Sequence, residues 1–164
     1  MTATTPLGRV VRDADGVHLE FVRSLDHPVA DVWAALTDPG RLAAWFGTWT
    51  GDPTTGSVEL TLAEEGAAPG RVDITACEPP RHLAVTTDGP EGAWPLEVTL
   101  RGSGAGTRLW FVHHLAEPFD ASSLGPGWQY YLDRLAAALA GEPLPEDWAQ
   151  YHPALAGAYA VPEP

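Results

Sequence analysis

The amino-acid sequence predicts an α+β domain: a curved antiparallel sheet around one long C-terminal helix, with two short helices after the first strand. Three observations predict it. Between residues 49 and 115 five segments alternate apolar with polar residues and are parted by short breaks rich in Gly, Pro and Asp, as half-buried strands are. One later stretch, ending at Ala140 before Gly141, Pro143 and Pro145, repeats its large apolar residues at helical spacing. Hydrophobic residues make up 45% of 164, which is enough for one well-buried core and little for two.

In chain order, residues 1–16 are polar and Thr-rich and end in the turn-forming cluster Asp13-Ala14-Asp15-Gly16, so they read as an N-terminal lead-in. Residues 17–25 set Val17, Leu19 and Phe21 against His18 and Glu20, which makes them the first strand. After His27-Pro28 the spacing turns helical through Val29, Val32, Trp33 and Leu36 until Asp38-Pro39-Gly40 breaks it. A second short amphipathic stretch carries Leu42, Trp45 and Phe46 and stops at Gly47.

The alternating segments follow: Val58, Leu60 and Leu62; Val72, Ile74 and Ala76; Leu83 and Val85; Leu96, Val98 and Leu100; Leu109 and Phe111. Their connections are too short for parallel crossovers, so neighbours run antiparallel. The long helix starts near Ser122 or Leu124 and presents Trp128, Tyr131, Leu132, Leu135 and Leu139 on one face, with Gln129, Asp133 and Arg134 away from its centre. The domain is therefore expected over residues 17–141. Residues 142–164 form a Pro-rich tail whose Trp148, Tyr151, Leu155 and Tyr159 are expected to pack back on it; packing on a second copy, as a homodimer, is the alternative.

Composition removes several functions. A net charge of −13 repels phosphate backbones and anionic headgroups, so neither nucleic acid nor a membrane surface is an expected partner. All nine basic residues are Arg, and without lysine both Schiff-base chemistry and a Walker-type phosphate loop are excluded. Cys77, the single cysteine, permits neither an internal disulfide nor a multi-cysteine zinc site, and reads as a small buried hydrophobe. The first twelve residues lack an uninterrupted apolar run, and none elsewhere could cross a bilayer, which points to a cytoplasmic protein. Gly102-Ser103-Gly104-Ala105-Gly106 joins two strands and is a hairpin turn. No nucleophile elbow, His-Glu-x-x-His or paired-carboxylate motif occurs, and the histidines at 18, 27, 82, 113, 114 and 152 show no ligand spacing, so no metal or cofactor is expected.

The order strand, two short helices, antiparallel strands, long helix resembles the START-like, or SRPBCC, superfamily with its helix-grip fold. The stretch His27-Pro28-Val29-Ala30-Asp31-Val32-Trp33-Ala34-Ala35-Leu36-Thr37-Asp38-Pro39, followed by Leu42 and Trp45-Phe46, is similar to the opening motif of the branch named for the activator of the heat-shock protein 90 ATPase. Gly127-Trp128 with Leu132 and Leu135 is similar to the final helix of that branch. The resemblance covers roughly residues 17–140. It implies a cavity between sheet and helix, open near the short helices. Because the superfamily holds carriers, receptors, aromatases and cyclases, and chaperone activators, it implies no single activity.

Within that frame the ligand-binding residues are expected to be Trp45, Phe46, Leu109, Phe111, His113, Trp128, Tyr131 and Leu135. If Leu109 and Phe111 face inward, so does His113, which could orient a ligand carbonyl or act as a base; a histidine bonded to the backbone at the cavity wall is the bland alternative. The Tyr131 hydroxyl is a candidate polar handle, with Tyr130 at the rim. Trp45-Phe46 could gate the cavity, with Gly47 supplying backbone freedom. Three readings follow: a module binding a small hydrophobic or aromatic molecule, a polyketide aromatase/cyclase-type enzyme using His113, and a chaperone-activator-like interaction module with exposed tail aromatics.

Overall fold

The computed structural model describes residues 7–63, 66–89, 92–116 and 119–159. Its strands are β1 (Gly8–Asp13), β2 (Gly16–Leu25), β3 (Gly47–Thr50), β4 (Ser57–Leu62), β5 (Gly70–Glu78), β6 (His82–Gly89), β7 (Gly92–Ser103) and β8 (Gly106–Leu115). All pair antiparallel in one sheet of order β1-β2-β8-β7-β6-β5-β4-β3. Helices α1 (Val29–Thr37) and α2 (Pro39–Leu42) follow β2, α3 (Ala121–Ala140) follows β8, and α4 (Ala156–Tyr159) lies in the tail. This is a helix-grip fold: the sheet wraps α3, and Leu19, Phe21, Leu100 and Leu109 join Leu132 and Leu135 in one core.

β1 lies in the stretch expected to be a lead-in. It escapes notice because Val10 and Val11 are adjacent and break the alternation, but an edge strand needs only one face on the core, and Val10 packs there. It pairs with β2 from Gly8 opposite Phe21 to Asp13 opposite Gly16. A side chain at Gly8 would collide with the Phe21 ring, so the residue is small because the strands cross a buried phenyl.

The two short helices are fixed by side chains that answer their open backbone groups. The last carbonyls of a helix have no partner within it. In α1 the carbonyl of Ala35 accepts the Trp45 indole N–H at 2.9 Å and that of Thr37 accepts the Trp49 indole N–H at 2.9 Å. Asp38 then caps α2, accepting from the amides of Gly40 and Arg41. Thr107 at the start of β8 donates to the His27 carbonyl at 2.7 Å and holds α1 against that end of the sheet. Asp120 caps α3, accepting from the Ser122 amide at 3.2 Å, and Gly141 ends the helix in the left-handed region at φ 69°.

The tail from residue 142 returns to the domain. Tyr151, Leu155 and Tyr159 are buried and belong to the core, and only Trp148 stands well exposed. The Tyr159 hydroxyl donates to Gln129 on α3 at 2.5 Å and accepts from the amides of Leu7 and Gly8 at 3.2 and 2.9 Å. Gln129, expected away from the apolar face, is therefore buried at 1% exposure: it is the polar partner of a chain segment thirty residues on. Beside it, Asp133 accepts from the Tyr151 hydroxyl at 2.7 Å and pairs with Arg23 at 2.9 Å. The Arg23 nitrogen is buried and misaligned for a hydrogen bond, so charge holds that contact.

Candidate functional site

The candidate site begins with the pleat of β8. Leu109, Phe111 and His113 point to the concave face and are buried, while Arg108 and His114 point out and are exposed. Opposite them α3 presents Trp128 and Tyr131. From a third side the turn after α2 brings in Phe46, and from a fourth β7 brings in Trp94. The rings interlock: Phe111 to Trp128 at 4.6 Å between centroids, Phe46 edge-on to Tyr131 at 4.8 Å, Phe46 stacked on Trp128 at 6.2 Å, and Trp94 against His113 at 4.9 Å. Phe46, Trp94, Trp128 and Tyr131 are half-buried, so the cluster reaches the surface.

His113 is the polar centre of this cluster. Its register neighbours are Leu19 on β2 and Leu96 on β7, both buried, and it is only 2% exposed. The Trp128 indole N–H donates to its Nδ1 at 3.1 Å. Because indole can only donate, Nδ1 carries a lone pair and the neutral ring keeps its proton on Nε2. Desolvation, with the adjacent His114 adding to it, pulls the His113 pKa down to about 4. At neutral pH the ring is thus uncharged, with one face of its chemistry spoken for and an N–H donor on the other nitrogen. Such a group can orient a carbonyl; as a base it is weak and half-occupied.

The structure brings the eight residues expected at the site into one neighbourhood but divides their roles. Phe46, Phe111, His113, Trp128 and Tyr131 form the aromatic cluster. Leu109 and Leu135, at 0% and 1% exposure, lie deeper in the packed core. Trp45 is buried and tied to Ala35 by its indole N–H, whereas Phe46 is half-buried. Gly47 has a different reason to be glycine than a hinge: a Cβ there would sit 2.5 Å from the Thr61 carbonyl oxygen, so β3 and β4 approach closely at this point. Tyr130, expected at the rim, faces the tail, edge-on to Trp148 and Tyr151 with the Arg134 guanidinium 5.3 Å from its ring. Trp94 was not anticipated, although it continues the inward series Leu96, Val98 and Leu100 by one more step of two.

Two further expectations change. Cys77 is exposed: a β-bulge between Ile74 and Ala76 shifts the register, setting Ala76 opposite Ala84 and Cys77 opposite Leu83, and so breaks the simple alternation of β5. His18, His82 and His114, scattered in sequence, lie together on the convex face with Glu20, Glu78 and Glu97 between them; Glu97 bridges His82 at 2.8 Å and His114 at 3.6 Å. Among the described residues no three His, Cys, Asp or Glu side chains converge as a metal site. No described helix is long and apolar enough to cross a membrane. Two surface clefts lie outside the aromatic cluster: one of about 500 Å³ beside Ser24, Asp26 and Thr107, and one of about 880 Å³ beside Val29, Arg81 and Trp110.

Comparison with known proteins places this geometry. The family model described as Activator of Hsp90 ATPase homolog 1-like protein matches residues 26–140. The crystal structure of CalU16 from Micromonospora echinospora is similar over 96% of both chains, at 30% identity and a TM-score of 0.74. The solution structure of the protein encoded by BPP1335 of Bordetella parapertussis covers 97% of this chain and 93% of that one at 24% identity and a TM-score of 0.73. DynU16, a protein in the dynemicin biosynthetic locus, matches 79% of this chain and half of its own length at 28% identity and a TM-score of 0.69. No curated protein matches the chain.

Proposed function

We propose that this chain, which belongs to the Activator of Hsp90 ATPase homolog 1-like family within the START-like superfamily, takes up a small apolar or aromatic molecule between its sheet and α3. The observation that carries the reading is the neutral, buried His113 enclosed by aromatic rings, four of which stay half-buried where the turn after α2, β7 and α3 meet. Apolar surface supplies the affinity, at about 25 cal/mol per Å² removed from water, and the His113 N–H orients a ligand oxygen. In the structure the rings touch one another, so a ligand enters by displacing Phe46 and Trp128 from each other.

Two features favour binding over the other readings. An imidazole whose pKa lies near 4 and whose Nδ1 accepts from Trp128 gives little acid-base catalysis at neutral pH. The tail aromatics that an interaction module would expose are largely in the core. The occurrence of DynU16 in a biosynthetic locus supports a small organic molecule as ligand.

The test uses the full chain, fresh from purification, by native mass spectrometry, and then N-phenyl-1-naphthylamine, an uncharged apolar fluorophore. Saturable uptake that Phe111→Trp abolishes, and that Phe46→Ala accelerates, is the expected result. Fluorophore binding that Phe111→Trp leaves unchanged would remove the assigned site.

A further inference from the structure

The wider of the two clefts lies at one end of the sheet, outside the aromatic cluster, where the β5–β6 turn, the β7–β8 hairpin and the start of α1 meet. Val29, Pro80, Leu100 and Trp110 supply its apolar lining, and Arg81, Arg101 and His82 its polar lining, with Glu78 at the edge. Arg108 adds a third guanidinium: it is the register partner of Arg101 across β7 and β8, and it lies 5.8 Å from the centre of the Trp110 ring.

The charges make the place unusual. The chain carries 22 acidic residues against nine arginines. Arg9, Arg23 and Arg71 each pair with a carboxylate, and Arg134 is bonded to carbonyls. Among the described residues the guanidinium groups of Arg41, Arg81, Arg101 and Arg108 take no hydrogen bond and no ion pair, and the last three gather at this cleft. Like charges opposite each other on neighbouring strands destabilise a sheet. Two such arginines beside a third outnumber the Glu78 carboxylate in the lining and leave a net cationic patch beside the Trp110 ring.

We infer that this cleft is a second binding site, one for an aromatic oxyanion, whose apolar body packs against Trp110 and Val29 and whose negative group is held by Arg101, Arg108 and Arg81. Guanidinium groups suit planar oxyanions because their donors are spaced to give paired hydrogen bonds. The 880 Å³ volume accommodates a one- or two-ring molecule. A carboxylate and a phosphate ester share this chemistry. The charge lies outside the aromatic cluster of His113, so the two sites take different ligands: neutral molecules inside, anions here.

The experiment follows the indole N–H signals of the full chain by nuclear magnetic resonance while 2-naphthoate, 1-naphthyl phosphate or uncharged 2-naphthalenemethanol is added. The expected result is a saturable shift of the Trp110 signal with an anion. Whichever anion binds more tightly identifies the preferred oxyanion. In the double variant Arg101→Gln, Arg108→Gln, both positions being exposed, the dissociation constant should rise about tenfold or more. A Trp110 response as strong with the alcohol, shifts confined to Trp128, or a dissociation constant unchanged in the double variant would each overturn the inference. Because the fluorophore used for the internal site is neutral and reads Phe111, failure of either site leaves the other measurable.

Discussion

Replacing His113 with Gln tests the electrostatics of the candidate site without any ligand. Gln keeps an acceptor for the Trp128 N–H and does not titrate. In the folded protein His113 titrates near 4, and in the unfolded chain near 6.5. Between those values the unfolded state binds the extra proton, so stability rises with pH there and falls on acidification. From pH 7 to pH 5 the folded wild type should lose about 2 kcal/mol to this one residue, approaching about 3 kcal/mol as pH nears 4. The assay is urea unfolding of both proteins at pH 7, 6 and 5. Carboxylates and the other histidines titrate alike in both, so the difference between the two curves isolates His113. The gap in stability between wild type and variant should move by about 2 kcal/mol in favour of the variant as pH falls to 5. Parallel profiles would show that the ring is solvated, and the closed aromatic cluster would have to be given up.

Other consequences are more local. Gly125→Ala would drive a methyl group into the Tyr159 ring, and should cost about 2 kcal/mol or more in chemical unfolding while releasing the tail to proteolysis. Tyr159→Phe takes the hydroxyl from the Gly8 amide and leaves the Leu7 amide and the Gln129 oxygen with their bond to each other, and about 1–3 kcal/mol should be lost, with faster amide exchange in β1. Asp133→Asn keeps an acceptor for Tyr151 but leaves Arg23 without a carboxylate, so thermal stability should fall by about 2 kcal/mol or more; no change would mean that the pair is solvated. Cys77 should react fully with a thiol reagent in the native protein at a rate that denaturant does not raise.

The fold was legible because the pleat and the helical turn impose periods on residue type, and between Val17 and Leu139 those periods carry each element apart from the bulge between Ile74 and Ala76 in β5. The candidate site was legible by the same route: once Phe111 faces in, His113 must, and extending the β7 series backwards would have added Trp94. The exposure of Cys77 follows a β-bulge between Ile74 and Ala76, which the residue pattern of β5 does not announce. What could not be read were partnerships over long distances. Gln129 looks like a surface residue until Tyr159 is laid beside it, and Arg23 looks like an error on a buried face until Asp133 and Tyr151 supply its environment. Gly47 carried a signal that has two meanings, freedom or crowding, and only the position of the Thr61 carbonyl separates them.

The strand order has a consequence for how the chain reaches this state. From β3 to β8 every strand pairs with the next, so that meander can grow by short loop closures. The exception is β2 against β8, where Leu25 meets Thr107 and Val17 meets Leu115. That pairing must close about half of the chain into a loop, with a correspondingly larger entropy to overcome. The joint between β2 and β8 is therefore expected to be late in folding, and His113, whose walls are Leu19 on one strand and Leu96 on another, becomes dry only when it shuts. The final protection of that imidazole from solvent would then report, on a kinetic timescale, the moment at which the two ends of the chain are brought into register.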